Sequence, residues 1–219
     1  MIIEEYDNID ADFRNEYVSN LLNESDVIIT NPPFSIWLPF WRWLNPADKQ
    51  YLILGPKTAA GYKDVFPYFL HNNARIGYNR LKCFDSLEGI TDKMEGLTRW
   101  YTNLQRGNMR SIAYKTKEQN EAAGICYKKY DNYDVLNVDR VKDIPSDYTD
   151  VMGVPLTFIE YYDPDKFELI NCAAGWTWAN CKSIEAELGF NPDIPTGGGL
   201  GLPIIGDKTY FTRLFIRNK

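Results

Sequence analysis

The sequence predicts an α/β fold in which a mostly parallel sheet carries helices on both faces and an irregular α+β region follows. Three observations predict it. Short apolar runs at 27–30, 50–54 and 75–78 end in turn residues and have strand length. The segments between them, 35–44 and 62–71, carry apolar residues at helical spacing. Strands alternating with helices at such short spacing imply parallel pairing through helical crossovers. The 219 residues are 44% apolar, enough to fill a core. Three regions are expected: 1–80 as the sheet-and-helix core, 81–150 as a basic, loop-rich region, and 151–219 as a C-terminal completion of the core or a small appendage.

Residues 14–23 read as a helix, with Tyr17, Val18, Leu21 and Leu22 on one face and Asp12 suited to cap its start. Asp26 precedes the strand 27–30, which is apolar enough to be buried and runs directly into Asn31-Pro32-Pro33-Phe34-Ser35. Segment 35–44 reads as an aromatic helix with Trp37, Phe40, Trp41 and Trp43, and Pro39 is tolerable only in its first turn. Strand 50–54 is closed by Gly55-Pro56, and 62–71 and 75–78 continue the alternation. Beyond residue 80 the periodicity fades. Segments 99–104 and 110–114 read as a hairpin across Arg106-Gly107-Asn108, and 115–121 as an exposed loop or helix end. Segment 131–145 is acidic and rich in turns. Strand-like runs occur at 152–161, 167–171 and 210–217, and Gly-rich 195–203 reads as a surface loop or hinge, since it lacks the spacing of a phosphate or dinucleotide loop.

The Asn31-Pro32-Pro33-Phe34 turn carries chemistry. Two prolines fix φ, remove two N–H donors and push the preceding residues to extended geometry. The result is a stiff corner at the carboxyl end of a strand, where ligands of such sheets bind. It offers the Asn31 amide oxygen, the Pro32 carbonyl and the Phe34 ring. Two acceptors and an aromatic face suit a planar amino group on an aromatic ring: the acceptors take its two N–H bonds and the phenyl stacks on its plane. The same corner also serves as an ordinary tight turn in other α/β proteins. Gly55-Pro56-Lys57 falls at the same end of the sheet. Lys57 reads as a surface lysine or as a contact to a base or phosphate.

This corner resembles the catalytic turn of amino-group DNA methyltransferases. The resemblance narrows to the EcoRI-type adenine-specific DNA methyltransferase family through Asp12-Phe13-Arg14, Tyr51-Leu52-Ile53-Leu54-Gly55-Pro56-Lys57, Trp100-Tyr101-Thr102-Asn103-Leu104, Tyr130-Asp131-Asn132-Tyr133-Asp134, Val141-Lys142-Asp143-Ile144-Pro145 and Val151-Met152-Gly153-Val154-Pro155. These strings span about residues 10–170, and Tyr210-Phe211-Thr212-Arg213 extends them. The resemblance implies a Rossmann-like methyltransferase core and methyl transfer from S-adenosyl-L-methionine to N6 of an adenine extruded from double-stranded DNA. It makes Asn31, Pro32, Pro33 and Phe34 catalytic. It makes Asp12 the acceptor for the cofactor's adenine amino group and Phe13 the residue packed on that ring. In one departure from the family pattern, no Gly-rich or acidic cofactor loop precedes Asp12. The expectation is therefore a member lacking its amino-terminal cofactor-binding part, supplied by a missing segment or a second chain, and inactive alone. The alternatives are a non-catalytic DNA-binding remnant, or an N-methyltransferase acting on RNA or a protein amide.

Charge points the same way locally and against it globally. The chain carries a net charge of −6, yet residues 74–129 hold 11 Lys+Arg against 6 Asp+Glu. Phosphate contact needs local rather than global charge. The expected DNA contacts are Lys57, Arg75, Arg80, Lys82, Arg99, Trp100, Arg106 and Arg110, with one of Trp100 and Tyr101 in the core; the alternative is an ordinary solvated surface. Four cysteines without CxxC spacing and one histidine disfavour a metal site and suit a reducing, cytoplasmic setting. No run has the apolar length of a membrane span.

Overall fold

The computed structural model describes residues 12–77, 79–81, 83–85, 91–93, 96–104, 110–173, 188–191, 193–194 and 201–219. The fold is mixed α/β. In the first sheet β1 (Val27–Thr30) pairs in parallel with β2 (Gln50–Pro56), with Val27 opposite Gln50 and Thr30 opposite Ile53. β2 pairs antiparallel with β6 (Thr98–Thr102), Leu52 facing Thr102 and Pro56 facing Thr98. β6 then pairs antiparallel with β3 (Arg75–Ile76), giving the order β1-β2-β6-β3.

Three expectations are corrected here. β2 and β3 are not neighbours, because β6 lies between them. β6 brings Trp, Tyr and two threonines, a composition that fits a pleated surface, and its partner β3 is only two residues long. The hairpin of 99–104 with 110–114 does not form either: residues 110–116 have no regular structure, and 105–109 lie outside the described residues. β1 also differs from the buried strand expected. Among the described residues it is an edge strand, and Ile29 is 69% exposed.

The helices form where apolar spacing and caps agree. α1 (Glu16–Glu24) starts at Asn15, whose side chain accepts from the Tyr17 N–H. Asn15, not Asp12, is therefore the cap. A 3₁₀ turn over Phe34–Ile36 leads into α2 (Trp37–Leu44), which buries Trp37, Phe40, Trp41 and Leu44 at i, i+3, i+4 and i+7. Pro39 sits in its first turn, where a missing N–H costs little. Trp37 Nε1 donates to Leu54 O at 2.8 Å and Trp41 Nε1 to Asp64 O at 3.0 Å, so both buried indoles are satisfied. The Tyr101 ring lies against Trp37, Trp41 and Phe69, which locks β6 beneath α2 and the short α3 (Phe66–Leu70).

The C-terminal part forms a second sheet. Its strands are β7 (Lys128–Lys129), β8 (Leu136–Asn137), β9 (Met152–Pro155), β10 (Phe167–Ala173) and β13 (Arg213–Asn218), in the order β10-β13-β9-β8-β7. β8 and β9 are parallel, and the other pairs are antiparallel. Small hairpins are made by β4 (Cys83–Asp85) with β5 (Thr91–Lys93) and by β11 (Ile204–Ile205) with β12 (Lys208–Thr209). Segment 115–121 resolves into α4 (Lys117–Ala122), opened by a capping box between Thr116 and Gln119. Met152, Val154, Phe158, Leu214 and Ile216 belong to the same apolar cluster as Trp37, Ile53 and Tyr101. The second sheet is thus packed onto the first through one core.

Candidate functional site

The Asn31–Phe34 corner stands at the carboxyl end of β1, on the surface. Pro32 is buried beneath it, while Asn31, Pro33 and Phe34 are exposed, Phe34 to 38%. The Ile36 N–H donates to Pro33 O at 3.1 Å, which closes the turn and spends that carbonyl. Among the described residues no hydrogen bond engages the Asn31 amide or the Pro32 carbonyl. The corner therefore has two acceptors and an accessible ring on a backbone stiffened by its prolines. Behind it, the Trp37 indole lies over Gly55 of β2 and pins the start of α2. An open groove of ≈ 290 Å³ runs along β1 as far as Thr30, walled by Leu21, Val27, Ile29, Phe40 and Trp43.

Of the two residues expected to bind cofactor, Phe13 adjoins this groove through Phe40 and Trp43. Phe13 is buried against Phe40 and Trp43, each with ring centroids at 5.5 Å. Asp12 is half-exposed and accepts from the Arg14 N–H at 2.9 Å and Nε at 2.8 Å, with a further bond to its guanidinium. The Arg14 hydrogen bonds hold the Asp12 carboxyl down at about 2.

Three of the eight residues expected to contact DNA converge on one carboxylate. Glu160, at the end of the 3₁₀ turn Leu156–Glu160, is 3% exposed. Its Oε1 accepts from Arg99 Nε at 2.7 Å, and its Oε2 from Arg80 Nε at 3.0 Å and Arg110 NH1 at 3.1 Å. Arg99 is 4% exposed, which removes it from direct reach of a large ligand; Arg80 and Arg110 are 40% and 23% exposed. Arg99 faces Gly55 across β2, so the cluster lies at the same end of the sheet as the corner. Half-buried Lys57 follows β2 directly, its N–H bonded to Leu97 O at 2.8 Å. Arg75 is elsewhere, level with Leu52, and donates to Leu104 O. Trp100 is half-buried and Tyr101 is core; the Tyr101 hydroxyl donates to Pro56 O at 2.7 Å. Lys82 and Arg106 lie outside the described residues. Among the described residues no group of His, Cys, Asp and Glu is arranged to hold a metal, and no helix is long and apolar enough to cross a membrane.

A family model described as adenine-specific methyltransferase EcoRI matches residues 3–219, nearly the whole chain. The chain belongs to the EcoRI adenine-specific methyltransferase family. Within it, the chain is 32% identical to the Type II methyltransferase M.MgeORF184P of Mycoplasma genitalium, over 75% of this chain and 57% of that protein. It is 35% identical to M.MpnI of Mycoplasma pneumoniae over 70% of this chain and 54% of that protein, and 34% identical to M.EcoRI of Escherichia coli over 76% and 56%. The chain thus spans about half the length of these EcoRI-family relatives. No solved structure matches it.

Two features of this candidate site have no local signal in the sequence. Glu160 sits fifty residues or more from the arginines it joins, with no local pattern to mark it. Gly55 reads as a strand terminator in the sequence, whereas its missing side chain makes room for Trp37.

Proposed function

We propose that this chain carries the target-base side of an S-adenosyl-L-methionine-dependent DNA methyltransferase acting on adenine N6. The stiff Asn31–Phe34 corner, with Asn31, Pro33 and Phe34 exposed, is the observation that carries the reading. An extruded adenine stacks on Phe34. Asn31 Oδ1 and the Pro32 carbonyl accept the two N–H bonds of its amino group. Those bonds draw the nitrogen toward tetrahedral geometry and localise a lone pair that is otherwise delocalised into the ring. S-adenosyl-L-methionine, when bound, supplies an electrophilic methyl group on a positively charged sulfur. No nucleophilic side chain and no strong base are required of the protein.

The residues present suit the purine end of that cofactor. A carboxylate is ionised at neutral pH with or without Arg14, so Asp12 is an acceptor there, and the groove beside Phe13 is lined mainly by apolar side chains. Arg14, 71% exposed, swings away to free the carboxylate. Among the described residues β1 ends its sheet with Ile29 exposed, and the chain spans about half the length of the relatives it matches. In this reading a further segment, from the same polypeptide or a second chain, completes the sheet along β1 and the remainder of the cofactor site. A Rossmann-like core is that completed sheet.

The test is methyl transfer from labelled S-adenosyl-L-methionine to duplex DNA, RNA and protein in parallel. Label in DNA adenine supports the reading, and label in RNA or protein alone overturns the substrate. Calorimetry with the cofactor distinguishes the enzyme from the second reading, a DNA-binding remnant, which the open edge of β1 favours. Heat of binding supports the enzyme; its absence at millimolar ligand assigns the chain by itself to the remnant.

A further inference from the structure

Three arginines meet on Glu160. One buried carboxylate meets Arg99 through Oε1, and Arg80 and Arg110 through Oε2. Arg99 is fully desolvated and makes a second bond, from NH1 to Thr98 O at 2.6 Å. It has the burial of a permanent partner, fixed to keep Glu160 ionised in an interior where a lone charge is costly. Arg80 differs. Its Nε and NH2 hold one carboxylate oxygen at 3.0 and 2.5 Å, yet the side chain remains 40% exposed. Arg110 reaches the same oxygen from a separate segment and is partly exposed.

This geometry immobilises the Arg80 guanidinium at the surface while sharing its carboxylate with buried Arg99. A free arginine gives up rotamer entropy when a ligand fixes it; here the carboxylate has already fixed Arg80. Planar, preorganised guanidiniums are suited to phosphate, which they bind through paired N–H donors. Position gives the class of ligand. Arg99 faces Gly55 across β2, and Gly55 lies two residues beyond Ile53, which faces Thr30. The Arg99 backbone is therefore level with Pro32, about 10 Å away across two interstrand spacings, and the cluster is anchored at that end of the sheet. Half-buried Lys57 follows on the strand between them.

We propose that Arg80 and Arg110, held by Glu160, form a preorganised site for a backbone phosphate of the nucleic acid beside the target base, with Glu160 as a positioning residue and Arg99 as its buried counter-charge. This rests on the DNA reading above. It reassigns Arg99 from DNA contact to structural anchor, and gives Glu160 a role in binding although its charge opposes the ligand's.

The test is fluorescence anisotropy of a labelled 20-base-pair duplex with the full 219-residue chain across a salt series. For Arg80→Gln and Arg110→Gln, binding should weaken for every duplex sequence alike, and the slope of log K against log salt should shrink by about 0.9 per lost phosphate contact. Arg80→Lys keeps charge but not the fork and should recover only part of the affinity. Glu160→Gln is the decisive arm. Removing a negative charge near DNA strengthens binding if charge alone matters, and weakens it several-fold if Glu160 positions the arginines. A circular-dichroism melt confirms that each variant is folded, and surface-exposed Arg80→Gln keeps the test open should Glu160→Gln not fold. Unchanged slopes in both arginine variants, with the parent chain binding DNA, overturn the phosphate site and leave the DNA reading intact. Failure of the parent chain to bind duplex at any salt overturns both.

Discussion

Replacing Gly55 with alanine tests how the core sets the catalytic corner. A Cβ on Gly55 would lie 2.6 Å from Trp37 Cζ2 and closer still to Nε1 and Cε2. Ordinary carbon contacts need about 3.5–4.0 Å, so about 1 Å must be found. Trp37 cannot supply it cheaply. It is buried, stacked on Trp41 with centroids at 5.3 Å, tilted against Tyr101 at 5.0 Å, and hydrogen-bonded to Leu54 O. Overpacking of this kind costs about 1–3 kcal/mol, and losing the indole hydrogen bond adds about 1 kcal/mol. The expected destabilisation is about 2–4 kcal/mol, which at a urea m-value of about 3 kcal/mol/M moves the midpoint by about 1 M. Because α2 begins three residues after Phe34, the displacement also shifts the corner, and any methyl transfer should fall with the midpoint. Combining Gly55→Ala with Trp37→Leu removes the clash, so the two changes should couple by at least about 1 kcal/mol in a double-mutant cycle. A midpoint unchanged by Gly55→Ala, or strictly additive effects, would refute the packing argument.

Asn31→Ala should abolish methyl transfer in any competent form while leaving the melting curve in place, since Asn31 is exposed and holds no structural bond among the described residues; full activity in that variant removes the acceptor role. Glu160→Leu strands Arg99 without its carboxylate in a site 4% exposed and should cost about 3–5 kcal/mol in denaturant titration. Burial pushes the Cys172 thiol up to about 12, so at pH 8 it should resist alkylation in the folded chain while exposed Cys83 and Cys126 react, as mass spectrometry of labelled peptides will report. The Arg14 bonds depress the Asp12 carboxyl to about 2. A depressed carboxyl contributes stability above its unfolded value, about 3.9, and loses it as pH falls toward 2. A carbon-detected titration should show this, and Arg14→Ala should return Asp12 to the ordinary range.

Local chemistry was readable from the chain alone. Periodicity placed α1, α2 and β2 to within a few residues, because each buries one stripe or face against the core. The corner was legible because proline geometry is covalent and needs no tertiary partner. The basic island at 74–129 and the family strings were equally plain. Pairing was not. Nothing near β6 indicates that it inserts between β2 and β3, since strand neighbours are chosen by packing between segments distant in sequence. β1 reads as buried from its composition, but its exposure depends on which strands lie beside it. Asn15 displaced Asp12 as the helix cap because the chain turns once more before α1. Glu160 and Arg99 became partners only when the second sheet folded against the first, where desolvation makes an unpaired charge too costly to keep.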